Sequence, residues 1–94
     1  MQEVNFEEFK TLLNDIKNRY MFLQIKGLIN TTYIIDSATI LMNNFRIIVT
    51  DKENQDIEIN VETVDKFSIS KNKNVFILEI DKLNIVKIQI DLVS

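Results

Sequence analysis

Histidine, cysteine, proline and tryptophan are absent from this 94-residue chain, and glycine occurs once, as Gly27. Without imidazole there is no histidine general base, no histidine metal ligand and no Ser-His-Asp triad within the chain. Without thiolate there is no cysteine nucleophile, no disulfide, and no sulfur-bound zinc or iron–sulfur cluster. One glycine cannot build the glycine-rich loops that cradle phosphates in P-loop and dinucleotide-binding folds. No stretch approaches the ~18 uninterrupted apolar residues that cross a bilayer as a helix. The opening Met1-Gln2-Glu3-Val4-Asn5 is acidic where a signal peptide is basic and then apolar. These features lead to the expectation of a cytoplasmic protein without a membrane association.

What remains is chemistry of oxygen ligands and carboxylates. Asp51, Glu53, Gln55 and Glu62 fall at the first, third, fifth and twelfth places of a notional calcium loop, but Asp56 stands where the sharp turn of such a loop requires glycine. Glu79 and Asp81 could share Mg²⁺, although the Glu-x-Lys strand signature of many nucleases is lacking. A paired-carboxylate hydrolase needs a sizeable cleft, for which a chain this short has little room. The sequence therefore predicts a protein that is not an enzyme and uses no metal or other cofactor.

The composition is 46% hydrophobic and 27% charged, that of a globular domain, with a net charge of −3. Abundant Ile, Asn and Lys match the codon usage of AT-rich bacteria and their phages. The basic residues are scattered among acids, which makes direct nucleic-acid binding an unfavoured expectation. The residues that would serve it are Arg46, Lys71 and Lys73 for phosphates and Tyr20, Tyr33 and Phe45 for stacking. One helix followed by curved strands resembles the Sm-like family in outline, without that family's glycine-containing strand motif.

Periodicity divides the chain in two. Phe6, Phe9, Leu12, Leu13 and Ile16 recur at helical spacing, with Glu7, Thr11, Asn14 and Asp15 opposite. Asn5 is the predicted N-cap, Glu8 completes a capping-box pattern, and Val4 and Phe9 sit where a hydrophobic staple would. The helix is predicted over about residues 5–17 and a β region over about 20–92. Within the latter, Gly27 is read as a bulge or bend where a long strand changes sheet. Asn43-Asn44 is read as a tight turn, Asp51–Gln55 as a loop, and Lys82-Leu83-Asn84 as the turn of a terminal hairpin. Residues 64–69 fit either a helical turn or a strand.

The predicted fold is α+β: an N-terminal amphipathic helix on a curved, mainly antiparallel sheet of five to six strands, a partial barrel. Residues 33–35, 40–42 and 47–49 are apolar on both faces, more than one helix can cover. Sheet curvature or a second copy must close the remainder, so a homodimer is a candidate assembly.

One further feature carries functional weight. Asp56, Glu58, Asn60 and Glu62 share a strand face, with Glu79 placed on a candidate neighbouring strand. Such a row is either a water-facing surface or a platform for a basic protein partner, for example a nuclease or another nucleic-acid-binding enzyme. The expectation is a protein-interaction domain, in character like the small phage or mobile-element proteins that inhibit host defence enzymes, anti-CRISPR inhibitors among them. A self-assembling structural subunit and a small-barrel RNA or single-stranded DNA binder are the alternatives.

Overall fold

The computed structural model describes residues 1–27 and 30–90. The extended reading of Leu28-Ile29 and the end of the last strand at Asp91-Leu92 lie outside the described residues. Strand β1 (Gln2–Val4) leads into helix α1 (Phe6–Asn14), followed by β2 (Arg19–Lys26), β3 (Thr31–Met42), β4 (Arg46–Thr50) and β5 (Asp56–Asn60). Strands β6 (Lys66–Ile69), β7 (Val75–Glu79) and β8 (Ile85–Ile90) complete the order. All described pairings are antiparallel, in the order β1-β6-β7-β8-β2-β3-β4-β5, and the sheet is not closed. The α+β class holds, and the count of five to six strands is corrected to eight.

The helix begins where its cap predicts. Asn5 is extended at φ −81°, ψ 168°, and its side-chain oxygen accepts the Glu8 amide at 2.8 Å. It ends three residues earlier than predicted, at Asn14 rather than Lys17. The cause is the docking of the chain that follows. The Ile16 carbonyl accepts the Ile40 amide at 3.0 Å, and the Asn14 carboxamide engages the Met42 backbone. This covers an edge of β3 beyond the end of β2, a place where an unpaired ladder would otherwise face the core.

The bend between sheet wings lies at Ser37, not at Gly27. Up to Ala38, β3 pairs with β2; from Thr39 to Met42 it pairs with β4. Ser37 takes φ 58°, a left-handed conformation in which a non-glycine residue turns the strand. Gly27 instead closes the β2–β3 hairpin, its amide donating to Asn30 Oδ1 at 3.2 Å. Its lack of a side chain admits Asn84 from the β7–β8 turn, which a Cβ at that position would overlap.

The two wings and the helix enclose a single core. Met21, Leu23, Val86, Ile88, Phe76 and Leu78 point inward from the larger wing, and Ile40, Met42, Ile47, Val49 and Ile59 from the smaller one. Phe9 and Leu13 fill the space between them, with Phe9 edge-on to Phe76 at 5.6 Å and tilted against Phe67 at 4.8 Å. The outer faces are another matter: Ile34 is 63% exposed and Leu41 58%. Of the outer apolar positions read from the sequence, Ile34 and Leu41 thus remain uncovered within the described chain, and Ile48 is half-buried. No helix among the described residues is long and apolar enough to cross a membrane.

Candidate functional site

Alternation along β5 places Asp56, Glu58 and Asn60 outward, and all three are exposed, while Ile59 is buried and Ile57 partly so. Glu62 is exposed just beyond the strand. Local partners already hold part of this row. Thr50 Oγ1 donates to Asp56 at 2.9 Å, Arg46 lies 3.6 Å from Glu58, and Asn60 Oδ1 accepts the Glu62 amide at 2.8 Å. Exposed pairs of this kind contribute only about 0–1 kcal/mol to stability, and Arg46 offsets the charge of Glu58, which leaves the negative field of the row to Asp56 and Glu62. Glu79 does not join it. The residue lies on β7, whose neighbours are β6 and β8, and it faces Lys66 at 3.8 Å. That part of the predicted platform is separated because strand order brings β7 to the opposite wing.

The structure adds a feature to this acidic edge. Among the described residues, β3 between Thr31 and Asp36 pairs only with β2, and its other edge is open. β4 ends at Thr50, opposite Thr39, so it does not reach that edge, and a cleft of about 260 Å³ lies beside it. Tyr33, Ile35, Val49 and Ile57 supply its apolar lining, with Asp51 and Asp56 at its rim. Asp36 lies beside it in an exposed pair with Lys52 at 3.4 Å. The sequence marked residues 33–35 as over-apolar but carried no sign that one strand edge would be free.

The remaining candidates are separated or locally engaged. The notional calcium loop is a hairpin turn in which Asp51 Oδ1 accepts the Glu53 and Gln55 amides at 2.8 and 2.9 Å. Among the described residues, no three acidic side chains converge into a group able to hold a metal ion. Asp81 is committed to the β7–β8 turn, accepting the Leu83 amide at 2.7 Å, the Asn84 amide at 2.9 Å and the Asn84 carboxamide at 2.9–3.0 Å. The Asn84 side chain first, then the Leu83 amide, stabilise the charged form and lower its pKa from the ordinary carboxylate value. Because the folded pKa is depressed, the stabilisation is complete above the unfolded value near 3.9 and is lost as pH falls through the folded one. Acid titration followed by amide NMR is therefore expected to loosen Leu83 and Asn84 only below about pH 4. A transition of these amides centred near neutrality would contradict the assignment.

Among the predicted nucleic-acid contacts, Arg46 is paired with Glu58, and Lys71 and Lys73 lie in the β6–β7 turn. Tyr20 is on the outer face of β2 beside Phe22, which the sequence reading had not singled out. Three other lysines, Lys26, Lys66 and Lys87, come together on that face although they are far apart in the chain.

No protein family, curated protein or solved structure matches the chain. The functional reading therefore rests on the geometry alone.

Proposed function

We propose that this chain is a non-catalytic protein-interaction domain that receives an extended, basic segment of a partner protein along the open edge of β3. The supporting observation is that free edge, Thr31–Asp36, bordering an apolar cleft with acids at its rim. Strand addition derives affinity from main-chain hydrogen bonds and specificity from pockets for alternate side chains. A 260 Å³ cleft is below the ~300–1,000 Å³ usual for small-molecule sites, and suits a few apolar side chains of such a strand. Asp51 and Asp56, continued by Glu58 and Glu62 along the β5 side, favour lysine or arginine at the positions between. A domain of this kind inhibits by occupation. Its proposed target is an enzyme with a basic surface, such as the nucleic-acid channel of a nuclease, and a phage or mobile-element inhibitor of host defence is the proposed setting.

A second reading is self-assembly at the same edge, favoured by the exposure of Ile34. Antiparallel pairing centred on Ile34 would set Tyr33 opposite the second copy's Ile35 and bury both copies of Ile34. Light scattering at high protein concentration separates the readings.

Panning a displayed random-peptide library against the purified chain tests the main proposal. Enrichment of segments alternating apolar and basic residues is expected, with amide shifts confined to Thr31–Asp36 and the cleft. Tyr33→Asp is expected to abolish binding, and Asp56→Lys with Glu58→Lys to weaken it about tenfold or more and to flatten its salt dependence. Peptides without basic residues, or binding indifferent to both variants, would sink the reading.

A further inference from the structure

Register fixes the outer face of the larger wing as a lattice of side chains. One row reads Ile34, Phe22, Gln89 and Val75 across β3, β2, β8 and β7. The next reads Thr32, Gln24, Lys87, Ile77, Ser68 and Glu3, and a third reads Lys26, Ile85, Glu79 and Lys66. Over the second and third rows lies a cleft of about 430 Å³, lined by Ile77 and Ile85 and bordered by Lys26, Lys66 and Lys87 together with Glu3 and Glu79.

The lysines are not equivalent. Lys66 sits between Glu3 at 3.9 Å and Glu79 at 3.8 Å, which offset its charge. Lys26 and Lys87 have no carboxylate within ion-pair distance among the described residues. Ser68 adds an independent observation. It is only 7% exposed, it lines the cleft, and its hydroxyl has no hydrogen-bond partner among the described residues. No buried side-chain polar atom lacks a partner among the described residues, so this hydroxyl is open to the cleft, where a donor beside the two ammonium groups without ion pairs is suited to an anion.

The adjoining row supplies a second kind of contact. Phe22 is paired with Gln89, which places it diagonally from Lys87, roughly 7 Å away across the strands. Tyr20 meets Phe22 edge to face at 5.5 Å and 88°, and Ile34 extends the apolar surface beyond it. A stacking surface thus lies one lattice step from an anion site, about the span from phosphate to base within a nucleotide. The carboxylates of Asp51, Glu53, Asp56, Glu58 and Glu62 lie in the smaller wing, while Glu3 and Glu79 share this cleft and pair with Lys66, so the positive charge of the face rests on Lys26 and Lys87.

We propose that this face binds a nucleotide, its phosphate between Lys26, Lys87 and the Ser68 hydroxyl and its base over Phe22. The phosphate ester is the common chemistry whether the nucleotide is free or part of a single strand. The phosphate contacts lie away from the β3 edge, with Ile34 common to both surfaces, and the proposal runs against the expectation that scattered basic residues disfavour nucleic acid: pairing through β8 gathers what the sequence disperses. Lysines act here as point charges, so binding is salt-sensitive, and a single strand loses affinity with a log–log slope of about −0.7 per phosphate neutralised.

The test is a titration of the ¹⁵N-labelled chain with adenosine monophosphate, inorganic phosphate and a short oligothymidylate. Shifts at Phe22, Ser68 and Lys87 are expected, with adenosine monophosphate or the oligonucleotide binding about tenfold or more tightly than phosphate alone. Binding of the mononucleotide identifies a free ligand; binding of the oligonucleotide alone identifies a single strand. Lys87→Glu and Phe22→Leu are each expected to weaken binding by roughly tenfold while unfolding curves confirm the fold. The absence of shifts with both nucleotides, phosphate binding as strong as the nucleotide, or affinity unchanged in both variants would overturn the proposal.

Discussion

Phe9→Ala is expected to lower the unfolding free energy by about 3–5 kcal/mol, the cost of truncating a fully buried phenylalanine. The ring is completely inaccessible and touches aromatic neighbours from two strands, Phe67 and Phe76. Each such aromatic pair adds about 0.5–1.5 kcal/mol beyond area burial. A domain of this size has only about 5–15 kcal/mol in total, so the substitution removes a large share. The effect exceeds that of most core truncations here because the helix is the only helical element filling the space between the wings among the described residues. Phe9→Leu keeps most of the volume and is expected to cost less than about 1.5 kcal/mol. Urea unfolding followed by circular dichroism measures both. A loss below about 1 kcal/mol for the alanine variant would mean that the wings close on each other without the helix, against the known cost of such cavities.

The position of Phe9 was legible because a helix announces itself locally. Cap, stripe and periodicity all lie within a dozen residues, and each pointed to the same start at Asn5. Alternation likewise exposed Asp56, Glu58 and Asn60 on β5, and Lys82-Leu83-Asn84 revealed its turn by residue type, whereas Asp81, read from the sequence as a candidate metal ligand, is what holds that turn. The misread elements share a different physics. Strand β1 is three residues long and exists because β6 offers it an edge, so it has no periodic signature of its own. Strand β3 runs for twelve residues through Asp36-Ser37-Ala38, a stretch that lies between the apolar runs 33–35 and 40–42 and carries no alternation of its own. The bend there needs a positive φ, which a serine adopts without the glycine that would have advertised it. At the Asn43-Asn44 turn the residue type was right. Neither residue has positive φ, and Asn43 Oδ1 makes the turn by accepting the Phe45 and Arg46 amides at 2.8 and 2.9 Å. The largest gap concerned strand order. Neither the separation of Glu79 from β5 nor the meeting of Lys26, Lys66 and Lys87 follows from local pattern, since both depend on β8 pairing with β2.

Asn14 is the residue whose role depends most on that long-range order, and its replacement provides the second large effect. Its helical position places it among the polar, outward residues, yet it is partly buried and bridges to β3. Its Oδ1 accepts the Met42 amide at 2.7 Å and its Nδ2 donates to the Met42 carbonyl at 3.1 Å, as a paired strand would. Met42 itself is 2% exposed. In Asn14→Leu the branched shape and heavy-atom count are kept, but a backbone donor and an acceptor are left without their partner, at about 1–3 kcal/mol for each unsatisfied group. Partial access of water to the junction reduces the sum, giving an expected loss of about 2–4 kcal/mol. Asn14→Asp separates the two bonds: the carboxylate still accepts from the Met42 amide but sets oxygen against the Met42 carbonyl, so the variant stays destabilised. Equilibrium unfolding gives the magnitude, and hydrogen exchange gives the place. The Met42 amide is expected to exchange faster in both variants relative to the Leu23 amide in the larger wing. A neutral Asn14→Leu would show that the Ile16–Ile40 backbone bond and core packing alone seal this edge of β3. The carboxamide would then be dispensable to how α1 joins the two wings.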